Sequence, residues 1–346
     1  ARQFGRELAE FCERLAAAVA AERDRAATTL PDLGEVLRRV MLPSTRLWER
    51  RVGDPDYLRL RIGRGPQPWL PPVDAAAAEA HDELHAAVVD ASTIPNCPID
   101  LELAGGGVVG LVGDRSAALS LARALLVQAV AHHGPADLPV AVLTDRLRAP
   151  DWDWAKWLPH VRSTGRSTLL SDAREIAAWS DALVEPDSTG GHITVVVVDG
   201  PELWQRREAP LHGLLTAPPD HVRIVTLSAA SADAPPTATI LLTADPDRRW
   251  HLVSTTEPGS VEPVLAALVE TDVAHRTATA MAPLDDQDIP VRLPAPRAEP
   301  RPLRSLVAPT GAPTRDGVLD EVCAGAVIVG TAHETARTAT VLAMRR

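Results

Sequence analysis

Two stretches of this chain hold residues in the order that phosphate chemistry needs. The first follows an apolar run, Val108 to Val112, and reads Gly113-Asp114-Arg115-Ser116-Ala117-Ala118-Leu119-Ser120. A phosphate-binding loop joins a strand to a helix. Its glycines let backbone N–H groups approach the phosphates, its lysine neutralises the β and γ charge, and its Ser or Thr holds Mg2+. Aligned on Gly113, two glycine positions hold Ser116 and Ala118, and the lysine position holds Leu119. Only Gly113 and Ser120 keep the expected type. The single lysine of the chain, Lys156, stands in Trp154-Ala155-Lys156-Trp157, far from any strand-to-helix loop. Asp114 puts a negative charge where phosphate would go. Arg115 could replace part of the missing charge, without the register or compactness of an ammonium group.

The second stretch is His192-Ile193-Thr194-Val195-Val196-Val197-Val198-Asp199. Asp199 ends a strongly apolar strand, the place from which a carboxylate holds Mg2+ through water. The competing reading is a plain strand-end cap. The next position, where a water-activating Glu would stand, is Gly200, and Glu202 is out of phase. The candidate nucleotide-binding set is therefore Gly113, Asp114, Arg115, Ser120 and Asp199, in degenerate form, with no catalytic residue and no metal ligands.

Other motifs carry less. Gly105-Gly106-Gly107-Val108-Val109-Gly110 fits GxGxxG but precedes its strand, and no acid follows at the required distance. It reads as a turn. His81 and His85 are four apart on a predicted helix, but Asp82 occupies the place where a zinc protease needs Glu, so a solvated face is expected. His132-His133 reads as a favourable helix end. The Trp152, Trp154, Trp157 cluster could stack bases or a partner's side chains, and burial at the sheet edge is the preferred reading. No GxSxG elbow occurs.

The elements that must position these residues follow from periodicity. Apolar positions at three- and four-residue steps predict a helix over 1–27 with a narrow stripe, suited to a stalk or to packing on a partner. Alternation predicts a strand over 56–63, followed by a Pro-rich stretch and a helix near 74–92. From about 95, strands at 98–103, 108–112, 140–144, 193–198 and 222–227 alternate with helices near 116–132 and 172–184. A strand at 250–255 and a helix near 260–281 close the region. Continuous β-branched runs between helices predict a mainly parallel sheet covered on both faces, an α/β fold of RecA-like P-loop NTPase type. The expected divisions are a helical stalk and small mixed adaptor over 1–94, a degenerate RecA-like ATPase domain over 95–284 and a Pro/Arg-rich linker over 285–317. Residues 318–346 read as the truncated start of a second such module, a strand–loop–helix whose Ala326 to Gly330 strand opens a loop with Ala336 in the lysine place.

Composition agrees with a soluble globular chain: 346 residues, 45% apolar, 23% charged, net charge −11. An acidic total argues against coating nucleic acid. The Arg46, Arg50, Arg51, Arg59, Arg61, Arg64 stretch is the one basic candidate, and its interleaved acids predict a solvated, ion-paired face. Cys12, Cys97 and Cys323 give neither zinc spacing nor a disulfide framework, which suits a reducing compartment. No run approaches 18 apolar residues. The chain opens within a predicted helix, so a fragment with a membrane anchor upstream is expected.

The order of several segments resembles the cytoplasmic part of EccC-type type VII secretion ATPases, in the FtsK/SpoIIIE group. They are Arg46-Leu47-Trp48-Glu49-Arg50-Arg51, Asp54-Pro55-Asp56-Tyr57-Leu58-Arg59-Leu60-Arg61-Ile62-Gly63-Arg64-Gly65, Val109-Gly110-Leu111-Val112-Gly113-Asp114-Arg115, Lys156-Trp157-Leu158-Pro159-His160, the strand ending at Asp199, and Met281-Ala282-Pro283-Leu284. The resemblance runs over residues 1 to about 284. It implies membrane helices before the stalk, a first ATPase-like module that is commonly degenerate, and ATP and Mg2+ in the parent family, which this degenerate module could lack. It also implies hexamers, other secretion-apparatus subunits, small helical secreted substrates, and a place at the cytoplasmic face of the cell membrane. DNA translocation with nucleotide and DNA binding is the alternative within the same group.

Overall fold

The computed structural model describes residues 2–73, 81–163, 165–184, 192–247, 249–255, 263–284, 326–330 and 339–343. The chain forms two units, Ala1–Ile289 and Pro290–Arg346. The expected linker lies outside the described residues. In the second unit β11 (Ala326–Gly330) pairs antiparallel with β12 (Ala339–Ala343). A strand thus stands where a helix was expected, in keeping with the β-branched Thr340 and Val341.

The first unit begins with α1 (Arg2–Thr29) and α2 (Leu33–Met41). Pro31 separates them, and the Asp32 carboxylate caps α2 by accepting from the Glu35 N–H at 2.9 Å. This is the Asp-x-x-Glu pattern of a helix start. A small antiparallel sheet follows, in the order β10 (Leu265–Ala266), β1 (Arg59–Pro68), β2 (Thr93–Glu102), with α3 (Asp82–Ala91) before β2. His81 and His85 are exposed, as a solvated face requires.

The large sheet comprises β3 (Gly107–Val112), β4 (Val140–Thr144), β5 (Leu169–Leu170), β6 (Thr194–Asp199), β7 (Val222–Ser228), β8 (Ala238–Ala244) and β9 (Trp250–Ser254). Its order is β5-β4-β6-β7-β3-β8-β9, and every pairing is parallel except β8 with β9. β8 adds a parallel strand beyond those expected. Side-chain alternation divides each strand between two cores. Val109, Leu111, Val195, Val197 and Val225 face α4 (Arg115–His132) and α7 (Thr271–Met281). Val108, Leu143, Val196, Val198 and Ile224 face α5 (Ala173–Val184) and α6 (His212–Thr216). The sheet is therefore covered on both faces. The helix expected near 260–281 begins only at Thr271. Before it, Val264 and the short β10 pair with Trp250 and β1, which buries Val264 completely.

Helix α4 is buried over nearly its whole length and joins the two sheets. On one side Gln128 exchanges two hydrogen bonds of 2.9 Å with the backbone of Arg61 in β1. At its C-terminus the last carbonyls take partners from the segment ahead of β1. Trp48 Nε1 donates to Val130 O, the Trp48 N–H to Ala131 O and the Arg50 N–H to His132 O, each at 3.0 Å. These bonds satisfy acceptors that a helix end otherwise leaves to water. His132 and His133 are fully packed here. Burial holds the His132 pKa well below its usual value and lowers that of His133 to about 4. They act as neutral packing groups, which corrects the expectation of a charged helix-end pair.

Candidate functional site

Parallel pairing brings the C-terminal ends of β3 and β6 to one edge of the sheet, with β7 between them. Two strand spacings put these ends roughly 10 Å apart, within reach of one long side chain. Gly113 and Asp199 meet at this edge as the sequence pattern requires. The connection after β3 is short, however. Helix α4 starts at Arg115, so only Gly113 and Asp114 separate strand from helix. The stretch aligned as a loop, Arg115 to Ser120, is the first turn and a half of α4. Leu119, in the lysine place, is 5% exposed, and Ser120 is buried with its carbonyl accepting from the Val269 N–H at 3.0 Å. Ser120 does not line the cleft.

Each remaining residue has a definite partner. The Asp114 side chain caps α4 by accepting from the Ala117 N–H at 3.1 Å. It satisfies an N–H that an anion at a helix N-terminus would otherwise use. Gly113 is held by its N–H to Ser228 O at 3.1 Å, and a Cβ there would come within 2.8 Å of the Ala244 methyl. Arg115 folds over the strand end and binds Asp199 with both terminal nitrogens, at 2.9 and 3.0 Å. Its outer nitrogen also reaches Asp151. Trp152 Nε1 donates to the same Asp199 carboxylate at 2.8 Å. Burial works against the Arg115 charge, but the hydrogen bonds to Asp199 and Asp151 outweigh it and raise the arginine's pKa. Asp199 is 1% exposed, and its carboxylate is thus compensated wholly from within the chain.

The surrounding charge is acidic. Arg148 pairs with Asp145 and with Glu202 on the opposite rim. Gly200 has φ +130, and a Cβ there would strike the Glu202 and Arg148 side chains. Asp199 and Asp233 line the cleft with Arg115 and Arg148, and Asp145, Asp151 and Glu202 pair with these arginines from outside the lining, so five carboxylates stand against these two guanidiniums and the nearby Arg123. The cleft measures about 180 Å³, below the roughly 300 Å³ at which small-molecule sites begin.

Sequence reasoning expected Gly113, Asp114, Arg115, Ser120 and Asp199 together, and of these Gly113, Arg115 and Asp199 line the cleft. It missed Trp152, Asp151 and Arg148, which lie on the 145–157 segment between β4 and β5. The spacing of that segment follows no motif, and only its Asp and Trp content hinted at a role. The preferred burial reading holds for Trp152 and Trp154, at 0% and 2% exposed, but Trp157 is 39% exposed beneath the Lys156 ammonium.

No protein-family model matches the chain. It is 31% identical over 243 residues to an ESX secretion system protein EccC of Thermomonospora curvata, covering 67% of this chain and 17% of that protein. It is 36% identical over 142 residues to the ESX-4 secretion system protein EccC4 of Mycobacterium tuberculosis, covering 38% of this chain and 11% of that protein. Among solved structures, ATPases 2 and 3 of EssC from Geobacillus thermodenitrificans align with a TM-score of 0.42 and 11% identity, over 87% of this chain and 62% of that one. The chain spans less than a fifth of the length of the two curated relatives.

Proposed function

Since this chain is related in sequence to the EccC proteins of ESX, or type VII, secretion systems, we propose that it is a structural or regulatory module of such a secretion ATPase, with a nucleotide cleft that does not hydrolyse ATP. The observation that carries this reading is the Arg115–Asp199 pair. Asp199 stands where a carboxylate would hold Mg2+, but a cation from its own chain already neutralises it. A two-residue connection leaves no loop of N–H groups to cradle phosphates, and Asp114 covers the start of α4. The acidic rim repels a polyphosphate. These residues do not fit a Mg2+-nucleotide, so no catalytic step is assigned to them.

What the module does instead follows from α4. The helix runs from the cleft at Asp114 to the clamp made by Trp48 and Arg50, about 27 Å at 1.5 Å per residue. A displacement at the cleft edge would be carried as a rigid-body shift to the segment beneath α1 and α2. In the proposed assembly the module sits at the cytoplasmic face of the membrane. It passes such shifts between an upstream anchor and ATP-hydrolysing modules of the same hexamer, which move small helical substrates.

The test is direct. The purified chain is titrated with ATP in the presence and absence of Mg2+ by calorimetry, and phosphate release is followed at steady state. No binding heat and no turnover above a protein-free control are expected. Turnover that disappears in Asp199→Asn would overturn the proposal, and salt-dependent DNA affinity would favour the DNA-translocating alternative.

A further inference from the structure

A second concave site lies at the opposite end of α4, and it does not depend on the reading of the nucleotide cleft. The ends of α1 and α2, the loop ahead of β1 and β1 itself enclose a cavity of about 360 Å³. Its walls carry Arg39, Arg46, Arg50 and Arg59 against Glu49 and Asp56. These residues belong largely to the stretch expected to be a solvated, ion-paired face. In fact Arg39 and Arg50 are each 3% exposed.

The donor inventory shows which of these arginines are committed. Arg50 is the most committed: Nη1 donates to the carbonyls of Asp56 and Arg59 and Nη2 to that of Thr29, while Nε is ion-paired with the Asp56 carboxylate without a well-formed hydrogen bond. Arg39 uses Nε on Glu35 and Nη1 on Glu49, which leaves Nη2. Arg59 uses Nε on Asp100, which leaves both terminal nitrogens. Asp100 and Glu35 act from outside the lining. The Arg46 side chain makes no hydrogen bond or ion pair among the described residues, although it borders the same cavity. Three residues that line one concave volume therefore keep uncommitted guanidinium donors. Burial lowers the pKa of Arg50, and the Arg39 and Arg59 charges add to this against the pull of Asp56 and Glu49.

A guanidinium fork matches the oxygens of a carboxylate or a phosphate. A carboxylate is satisfied by one fork, whereas several forks around one volume suit a tetrahedral dianion. At about 30 Å³ per water, the cavity holds more than a bare phosphate fills, leaving room for a small organic group. We propose that this cavity is a binding site for a phosphomonoester dianion. Arg46 is its principal fork, and Arg39 and Arg59 supply their remaining donors. Such a ligand would tie down the 46–50 segment, whose backbone also caps α4 through Trp48 and Arg50.

The full chain is titrated with glycerol 3-phosphate by calorimetry, and in parallel its flotation with phosphatidylcholine vesicles is measured with and without phosphatidic acid. Saturable binding in at least one arm is expected, and the arm that binds identifies a soluble or a lipid source. Arg46→Ala should weaken it about tenfold or more, the worth of one charge-assisted hydrogen bond. It should leave the unliganded melting temperature unchanged, because Arg46 has no partner to lose. Lys156→Ala, which removes an equal charge elsewhere, should bind as the parent does. Absence of binding in both arms, equal affinity of parent and Arg46→Ala, or equal weakening by Lys156→Ala would each overturn the proposal.

Discussion

Replacing Arg115 by Ala isolates the interaction on which the inactive-cleft reading stands. It would leave the Asp199 carboxylate, 1% exposed, with the Trp152 Nε1–H as its one remaining side-chain donor among the described residues. Breaking a fully buried pair costs about 3–5 kcal/mol because the orphaned charge cannot regain water. The Arg115 side chain is 41% exposed, so solvent already screens part of the pair, and the expected loss falls to about 2–3 kcal/mol. At about 2 °C per kcal/mol for a unit of this size, the melting temperature should drop by about 4–6 °C. Asp199→Asn keeps an acceptor for Trp152 and leaves Arg115 bound to Asp151, so its cost should be about 1 kcal/mol. The double variant should then be only about 0.5 kcal/mol worse than Asp199→Asn, with a coupling energy of about 1.5–2.5 kcal/mol. Urea unfolding followed by tryptophan fluorescence reads all four corners of the cycle, and Trp152 reports on the site itself. A coupling below about 0.5 kcal/mol would mean that the pair is a surface contact and that Asp199 is not locked, which refutes the argument.

Three other outcomes are expected. His133 is unexposed, with a pKa lowered by burial to about 4 from a usual value near 6.5, so between these values the unfolded chain binds the proton that the folded chain refuses. Stability should be full above pH 6.5 and fall towards pH 4 by roughly 3 kcal/mol, with His132 acting in the same direction. A flat stability profile across that window would contradict it. Trp48→Phe keeps a ring but loses the bond to Val130 O, and should cost about 1 kcal/mol in urea unfolding while leaving secondary structure by circular dichroism intact. Gly200→Glu restores the residue type that activates water, yet it forces a side chain at φ +130 into Glu202 and Arg148. It should destabilise by about 1–3 kcal/mol and give no ATP turnover, so a folded, active variant would show that the surrounding cleft is competent after all.

The sequence alone determined much of this protein, because the relevant physics is local. Continuous apolar strands such as Thr194–Asp199, alternating with helices, are enough to require a parallel sheet covered on both faces. The single lysine, at position 156, decides without any coordinates that no ammonium group follows β3. What the sequence could not determine depends on contacts between distant segments. The expected phosphate loop became helix because Asp114 caps α4 immediately after β3, and Ala117, Ala118 and Leu119 are buried against the fold. A nearly all-apolar helix has no periodic signal to mark where it begins. Arg115, read as a substitute for a phosphate-binding charge, became the counter-ion of Asp199, 84 positions away. Arg50 and Arg61, read as solvated, were drawn into the interior by carbonyls at Thr29 and Leu30 that only the folded chain brings to them. Charge and spacing are properties of the chain, but whether a charge meets water, a ligand or another residue is decided by tertiary packing, since that sets the local dielectric and the partners within hydrogen-bond reach.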